Sequence, residues 1–385
     1  MLKKSYTLRY ALVAMAIVGL TSCDDDNNVI EDTTLRDKID YASITATTPY
    51  AKLFVDKAGN STVDLSSGNN RYKMFQMLNS AQSSAVGGNK QIDAAALKNM
   101  FSNTGNPFGD SVKLNTSGLQ LRDKVASSWA TADAEAVRAR VEALFTELET
   151  TSKSVTETGE KGKAGKIGNY LVNAQGIELV QIVQKSLIGA LQLDYISNVL
   201  LTKGLEADNR SLVPGKPYTQ LEQNWDEAYG FLTLNPVYLI GSTDDKRGTT
   251  EFGLGAYTWE YNKPAYPKMH EAFLKGRAAI VNNDKAELKV QVDFIRAAFE
   301  KALAKAAVGY LKKFIDGTTD AARVHAIGEG LGFIYSLRFA NVNGADAKFS
   351  DEILAALILS PNGFWDLTPA KVTAASDAIT AKFKL

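Results

Sequence analysis

A chain of 385 residues with 43 basic and 43 acidic side chains has no net charge, which argues against the basic face that nucleic-acid binding requires. Its single cysteine excludes an internal disulfide and a cysteine metal cluster. Its two histidines leave few ways to build a zinc or acid–base site.

In chain order, Lys3, Lys4 and Arg9 precede an apolar run over residues 10–20 that is too short to cross a bilayer as a permanent anchor. Leu20-Thr21-Ser22-Cys23 follows and resembles a bacterial lipobox, in which cleavage precedes a cysteine that is then acylated. Residues 1–22 therefore read as a lipoprotein signal peptide and Cys23 as the lipidation site, with membrane attachment through the acyl chains. Removing residues 1–22 leaves 40 basic against 43 acidic side chains. Residues 23–34 are acidic and nearly free of apolar side chains, a disordered tether. Its Asp24-Asp25-Asp26 resembles the acidic export tag of surface-exposed Bacteroidetes lipoproteins, and a plain spacer on the periplasmic face is the alternative.

Residues 35–385 read as one α-helical domain. Residues 50–65 alternate around Gly59-Asn60, which predicts a small β-hairpin. Helical spacing follows over 70–82 and over 92–101, the latter capped by Asp93, until residues 103–109 (NTGNPFG) break it. Residues 131–149 place Val137, Val141, Leu144 and Leu148 on one face. Residues 159–166 (GEKGKAGK) lack both the spacing and the hydroxyl of a phosphate-binding loop, and read as a flexible connection.

The longest periodic run, 169–203, is apolar nearly all round, except for a polar row of Gln175, Glu178, Gln181 and Lys185. After Pro214-Gly215-Lys216-Pro217, Thr219 is placed to cap a helix over 221–232 (LEQNWDEAYGFL). Its stripe is Leu221, Trp225, Tyr229 and Leu232, flanked by the pairs Glu222/Asp226 and Gln223/Glu227. Gly230 implies a close neighbour there. Residues 235–266, rich in glycine, proline and aromatics, read as a binding or covering loop. Helices follow over 268–281, with Gly276 at a crossing, over 285–314, and over 318–340 with Thr319 or Asp320 as cap. Two more, over 350–359 and 369–384, close the chain. Roughly seven to ten helices joined by short turns make an all-α, up-and-down bundle, single or as two fused bundles.

His270 opens a zincin-like HEAFL segment, but Leu274 stands where the second histidine belongs, which removes that site. His325 and Glu329 are four apart on one helical face, among Gly328, Gly330 and Gly332. Three glycines in one helix cost roughly 2–3 kcal/mol of propensity, a cost that close backbone approach explains. Two readings fit: a hydrogen-bonded histidine at a tight helix crossing, or half of a metal site completed by neighbours. The metal reading has Glu178, Asp226, Glu227, His325 and Glu329 converge on one polar pocket around a divalent cation or iron, with Trp225, Tyr229, Gln181 and Arg277 as ligand-binding side chains. Buried carboxylates without a cation would instead need a basic partner, for which Lys185 and Arg277 are candidates.

Five stretches together resemble an uncharacterised Bacteroidetes lipoprotein family, a domain of unknown function numbered 4856: YLVNAQGIELVQIVQKSLIGA at 170–190, NWDEAYGF at 224–231, AFLKGRAAIVNN at 272–283, HAIGEGLGFIYSL at 325–337 and NGFWDLT at 362–368. More distantly, the chain is similar to the imelysin-like proteins, which are helical, envelope-anchored and linked to iron acquisition, some of them labelled metallopeptidases for a histidine–glutamate motif. His325 and Glu329 occupy that kind of position. The family pattern has a histidine just before the WDEA segment, where this chain reads Glu222-Gln223-Asn224, so one metal ligand is missing. The resemblance implies a non-enzymatic ligand- or metal-binding lipoprotein of the outer envelope, acting in iron or haem uptake, with an outer-membrane receptor as its partner. A metallopeptidase is the enzymatic alternative, and a structural surface protein with no bound ion is the third.

Overall fold

Helix after helix follows the apolar periodicity: the computed structural model describes residues 35–234 and 251–385, and these hold thirteen α-helices and one two-stranded sheet. Residues 1–34, with Cys23, and residues 235–250 of the predicted aromatic loop lie outside the described residues. The short α1 (Tyr50–Leu53) precedes α2 (Ser66–Gly87), α3 (Ala94–Ser102), α4 (Val112–Asn115) and the long α5 (Thr131–Ser152). Strands β1 (Gly165–Ile167) and β2 (Tyr170–Val172) form an antiparallel hairpin ahead of α6 (Leu179–Leu187). The chain continues from α6 through Ile188–Leu200 with π-helical hydrogen bonding. Then come α7 (Gln220–Leu232), α8 (Leu254–Tyr261), α9 (Tyr266–Asn282), α10 (Lys285–Asp316), α11 (Asp320–Ser336), α12 (Ala347–Ile358) and α13 (Pro369–Phe383).

Helix α10 is the spine of the bundle, with α8, α9, α11 and α13 packed along it. Its buried Ala298, Ala302, Ala304, Ala306 and Ala307 keep its surface low, so neighbours approach closely while burying Ile295, Phe299, Leu303 and Leu311. Helix α11 packs in turn on α6, and α2 on α7. The α2–α7 contact uses a glycine from each side: a Cβ on Gly68 would lie 2.4 Å from the Glu227 carbonyl oxygen, and one on Gly230 would lie 2.8 Å from that of Leu65. Gly276 on α9 receives the Trp225 ring, 2.0 Å from where its Cβ would be.

Local chemistry ends the helices as the sequence suggests. Asp93 accepts from the Ala95 and Ala96 amides, and Thr319 from Ala322. At α7, Thr219 and Glu222 form a reciprocal capping box. Three details differ from expectation. Residues 50–65 make a helical turn and one antiparallel bridge, Val55 to Ser61, and the hairpin with a continuous ladder lies instead at 165–172, inside and beyond the predicted flexible connection. Gln175 precedes α6 rather than sharing its face with Gln181 and Lys185. Residues 254–261 are helix rather than loop, and Trp259 is buried in the core.

Candidate functional site

The polar row of α6 and the glycine stripe of α11 meet face to face. A Cβ on Gly328 would lie 3.2 Å from that of Glu178, and one on Gly332 would lie 2.5 Å from that of Lys185. Because these glycines share a face with His325 and Glu329, the backbone approach they permit brings imidazole and carboxylate onto α6. Gly330 points elsewhere, toward Tyr310 and Leu311 of α10.

In this centre Glu178 Oε2 lies 2.8 Å from His325 Nδ1, while His325 Nε2 lies 3.7 Å from Glu329 Oε1. Glu329 Oε1 is 3.1 Å from Lys185 Nζ. Lys185 also donates to Gln184 and sits over the Tyr257 ring. Tyr170 of the hairpin stacks on the imidazole at 4.3 Å, covering one of its faces. His325 keeps 31% of its side-chain surface exposed, whereas Glu178 and Glu329 each keep 7%. Burial pushes the Glu178 carboxyl above the usual range, against the opposing pull of His325. For His325 burial acts downward, but the hydrogen bond and charge of Glu178 prevail and raise its pKa. Burial likewise lowers that of Lys185, and Tyr257 and Glu329 more than offset it.

Asp226 belongs to a second, fully buried centre between α7 and α9. Arg277 donates from Nε to Asp226 at 3.1 Å and from Nη1 to Glu222 at 2.7 Å. Arg36 pairs with the other Glu222 oxygen at 2.6 Å and donates to the Pro217 carbonyl. The Tyr50 hydroxyl donates to Asp226 at 2.8 Å. Burial raises the Asp226 pKa to about 6, against the lowering by Arg277. Beside this centre Tyr50 stacks on Tyr229, and the Tyr229 hydroxyl is 2.9 Å from His270 Nδ1. His270 Nε2 lies 2.8 Å from the Thr48 carbonyl, which can only accept, so Nε2 carries the proton and Nδ1 accepts from Tyr229. Burial lowers the pKa of this imidazole and keeps it neutral. Trp225 is fully buried and donates to the Phe273 carbonyl.

Glu227 forms a third centre with Arg71 of α2 and the Tyr195 hydroxyl. The five predicted metal ligands therefore divide among three centres, each with a basic side chain of its own: Lys185, Arg277 or Arg71. Adjacent helical residues point about 100° apart, which sends Asp226 and Glu227 to different neighbours. Glu178, His325 and Glu329 do come together, but the two carboxylates address opposite nitrogens of one ring, so no single ion can take all three as ligands. Among the described residues no group of three or more histidine, cysteine or acidic side chains is placed to hold a metal ion. The donor set does not fit a divalent cation or iron; a lysine ammonium stands beside Glu329 instead. Gln181 flanks Glu178 in this centre, while Trp225, Tyr229 and Arg277 serve the second. Arg36, Tyr50, Arg71, Tyr170, Tyr195 and Tyr257 were not singled out as site residues from the sequence, since each acts through a partner distant along the chain.

No curated protein and no solved structure matches the chain. The family model described as Domain of unknown function (DUF4856) matches residues 51–385, which takes in all three centres except Arg36 and Tyr50, and the chain belongs to that family.

Proposed function

We propose that this protein is a non-enzymatic binding lipoprotein of the outer envelope, acylated at Cys23 and exposed at the cell surface. The observation that carries the reading is the order of segments: a basic n-region, an apolar run, Leu20-Thr21-Ser22-Cys23 with the chain's sole cysteine, and an acidic stretch. The described residues of the helical domain begin at residue 35, directly after that stretch. Support for a non-enzymatic role comes from the side chains: the acids of the three centres face internal cations, and His270 is held as a neutral bridge between Tyr229 and Thr48. A role in iron or haem uptake rests on the distant imelysin resemblance. In that role the domain works by contact with an outer-membrane receptor and not by chelation at His325.

The test is Cys23→Ala in the native cell, followed by palmitate labelling and detergent phase partitioning. The expected product is unlabelled and leaves the membrane fraction. A variant that still labels and partitions with lipid overturns the reading.

A further inference from the structure

An open groove of about 700 Å³ runs between α5, the end of α11 and the start of α12, away from the three centres described above. On its wall the Tyr335 ring carries two guanidiniums, with Arg338 Cζ 3.5 Å and Arg140 Cζ 3.9 Å from the ring centroid. Two planar cations that close to one centroid cannot share a face, so they sandwich the ring. Arg338 is anchored: it donates to the Tyr335 carbonyl, the Ser350 hydroxyl and Asp351. Arg140 has no ion pair. Among the described residues no carboxylate lies within ion-pair distance of it, its buried Nη1 has no acceptor, and its polar contact is with Tyr335.

The other acids of the groove leave Arg140 without an ion pair. Asp351 attracts it from beyond ion-pair distance but is engaged by Arg338, and Asp346 caps α12 by accepting from the Phe349 amide. Asp133 stands seven residues before Arg140 on α5, about 10 Å along the helix axis. A half-buried guanidinium with no ion pair of its own beside a second guanidinium is an arrangement that folding alone disfavours. Proteins tolerate it where a ligand completes the charge. Trp129, packed on Phe339 at 4.8 Å and half-buried, lines the same groove and supplies a flat apolar surface.

We propose that this groove binds a small carboxylate carried on a flat apolar body. The carboxylate pairs with the part of the Arg140 guanidinium that reaches the groove, and the body lies along Trp129. The volume suits a ligand of that size. The site is independent of membrane attachment and uses none of the residues assigned to the ion-pair centres.

Benzoate serves as the probe and benzamide as its neutral isostere. The four tryptophans give four ¹⁵N-indole signals in the purified mature protein, with Trp129 assigned by its loss in Trp129→Phe. Benzoate is expected to shift the Trp129 signal saturably while Trp225, Trp259 and Trp365 stay in place, and benzamide to bind about tenfold more weakly or not at all. Arg140→Gln should weaken benzoate by a similar factor, and Arg140→Lys should retain part of the binding. Equal binding of benzoate and benzamide, a Trp129 signal that does not respond, or undiminished binding by Arg140→Gln overturns the proposal. If Arg140→Gln does not fold, the benzoate–benzamide comparison in the parent protein decides by itself.

Discussion

Lys185 Nζ stands 3.1 Å from Glu329 Oε1, with both side chains almost wholly buried. The pair lies at the point where α11 glycines let α6 approach, and it supplies internally the positive charge that a metal would otherwise bring. Removing one member leaves the other as an uncompensated buried charge.

Lys185→Met should therefore cost about 3–5 kcal/mol of stability, and Lys185→Met with Glu329→Gln should recover much of it. Urea denaturation of both singles and the double forms the cycle. The loss in Glu329→Ala should be the same with and without chelator. A loss that appears only when metal is present would restore the metal reading.

Gly276→Ala tests the tightest contact on α9. Its new methyl would meet the fully buried Trp225 ring, whose indole nitrogen donates to the Phe273 carbonyl. Overpacking of this kind costs about 1–3 kcal/mol. A midpoint of unfolding unchanged from the parent would show that the ring can move aside.

His325 makes stability depend on pH near neutrality. Its folded pKa is raised by Glu178, so its contribution is complete below the unfolded value of about 6.5 and disappears as pH rises through the folded pKa. Melting temperatures from pH 6 to 9 should fall more steeply for the parent than for His325→Gln. Parallel curves would contradict the Glu178–His325 pairing.

Asp226 acts with the opposite sign from an ordinary salt-bridged acid. Burial raises its folded pKa to about 6, above the usual 3.8, so the folded state binds the proton first. This group alone then adds stability as pH falls from about 6 toward 4, because the unfolded chain binds fewer protons in that window. Subtracting the stability of Asp226→Asn from that of the parent should leave a difference that changes across pH 4–6.5. A constant difference would show that Arg277 holds the carboxylate at an ordinary pKa.

What the sequence determined by itself lies close along the chain. The apolar period set the helices, Asp93, Thr219 and Thr319 set where three of them start, and Gly230, Gly276, Gly328 and Gly332 marked four close approaches of a neighbour. Lys185 and Arg277 stood out as the cations a buried carboxylate could use. These features act within one or two turns, or reflect a cost that a single residue shows without its partner.

Only the tertiary structure decided which charges meet. Glu178 is 147 residues from His325 and Asp226 is 51 from Arg277, and helical spacing carries no information across such separations. Asp226 and Glu227 illustrate the point: one helix turns them about 100° apart, and the different helices packed on each side give one Arg277 and the other Arg71. The β1–β2 hairpin escaped for the same reason, because strands of three residues are stabilised by what they pair with and cover, here Tyr170 on His325.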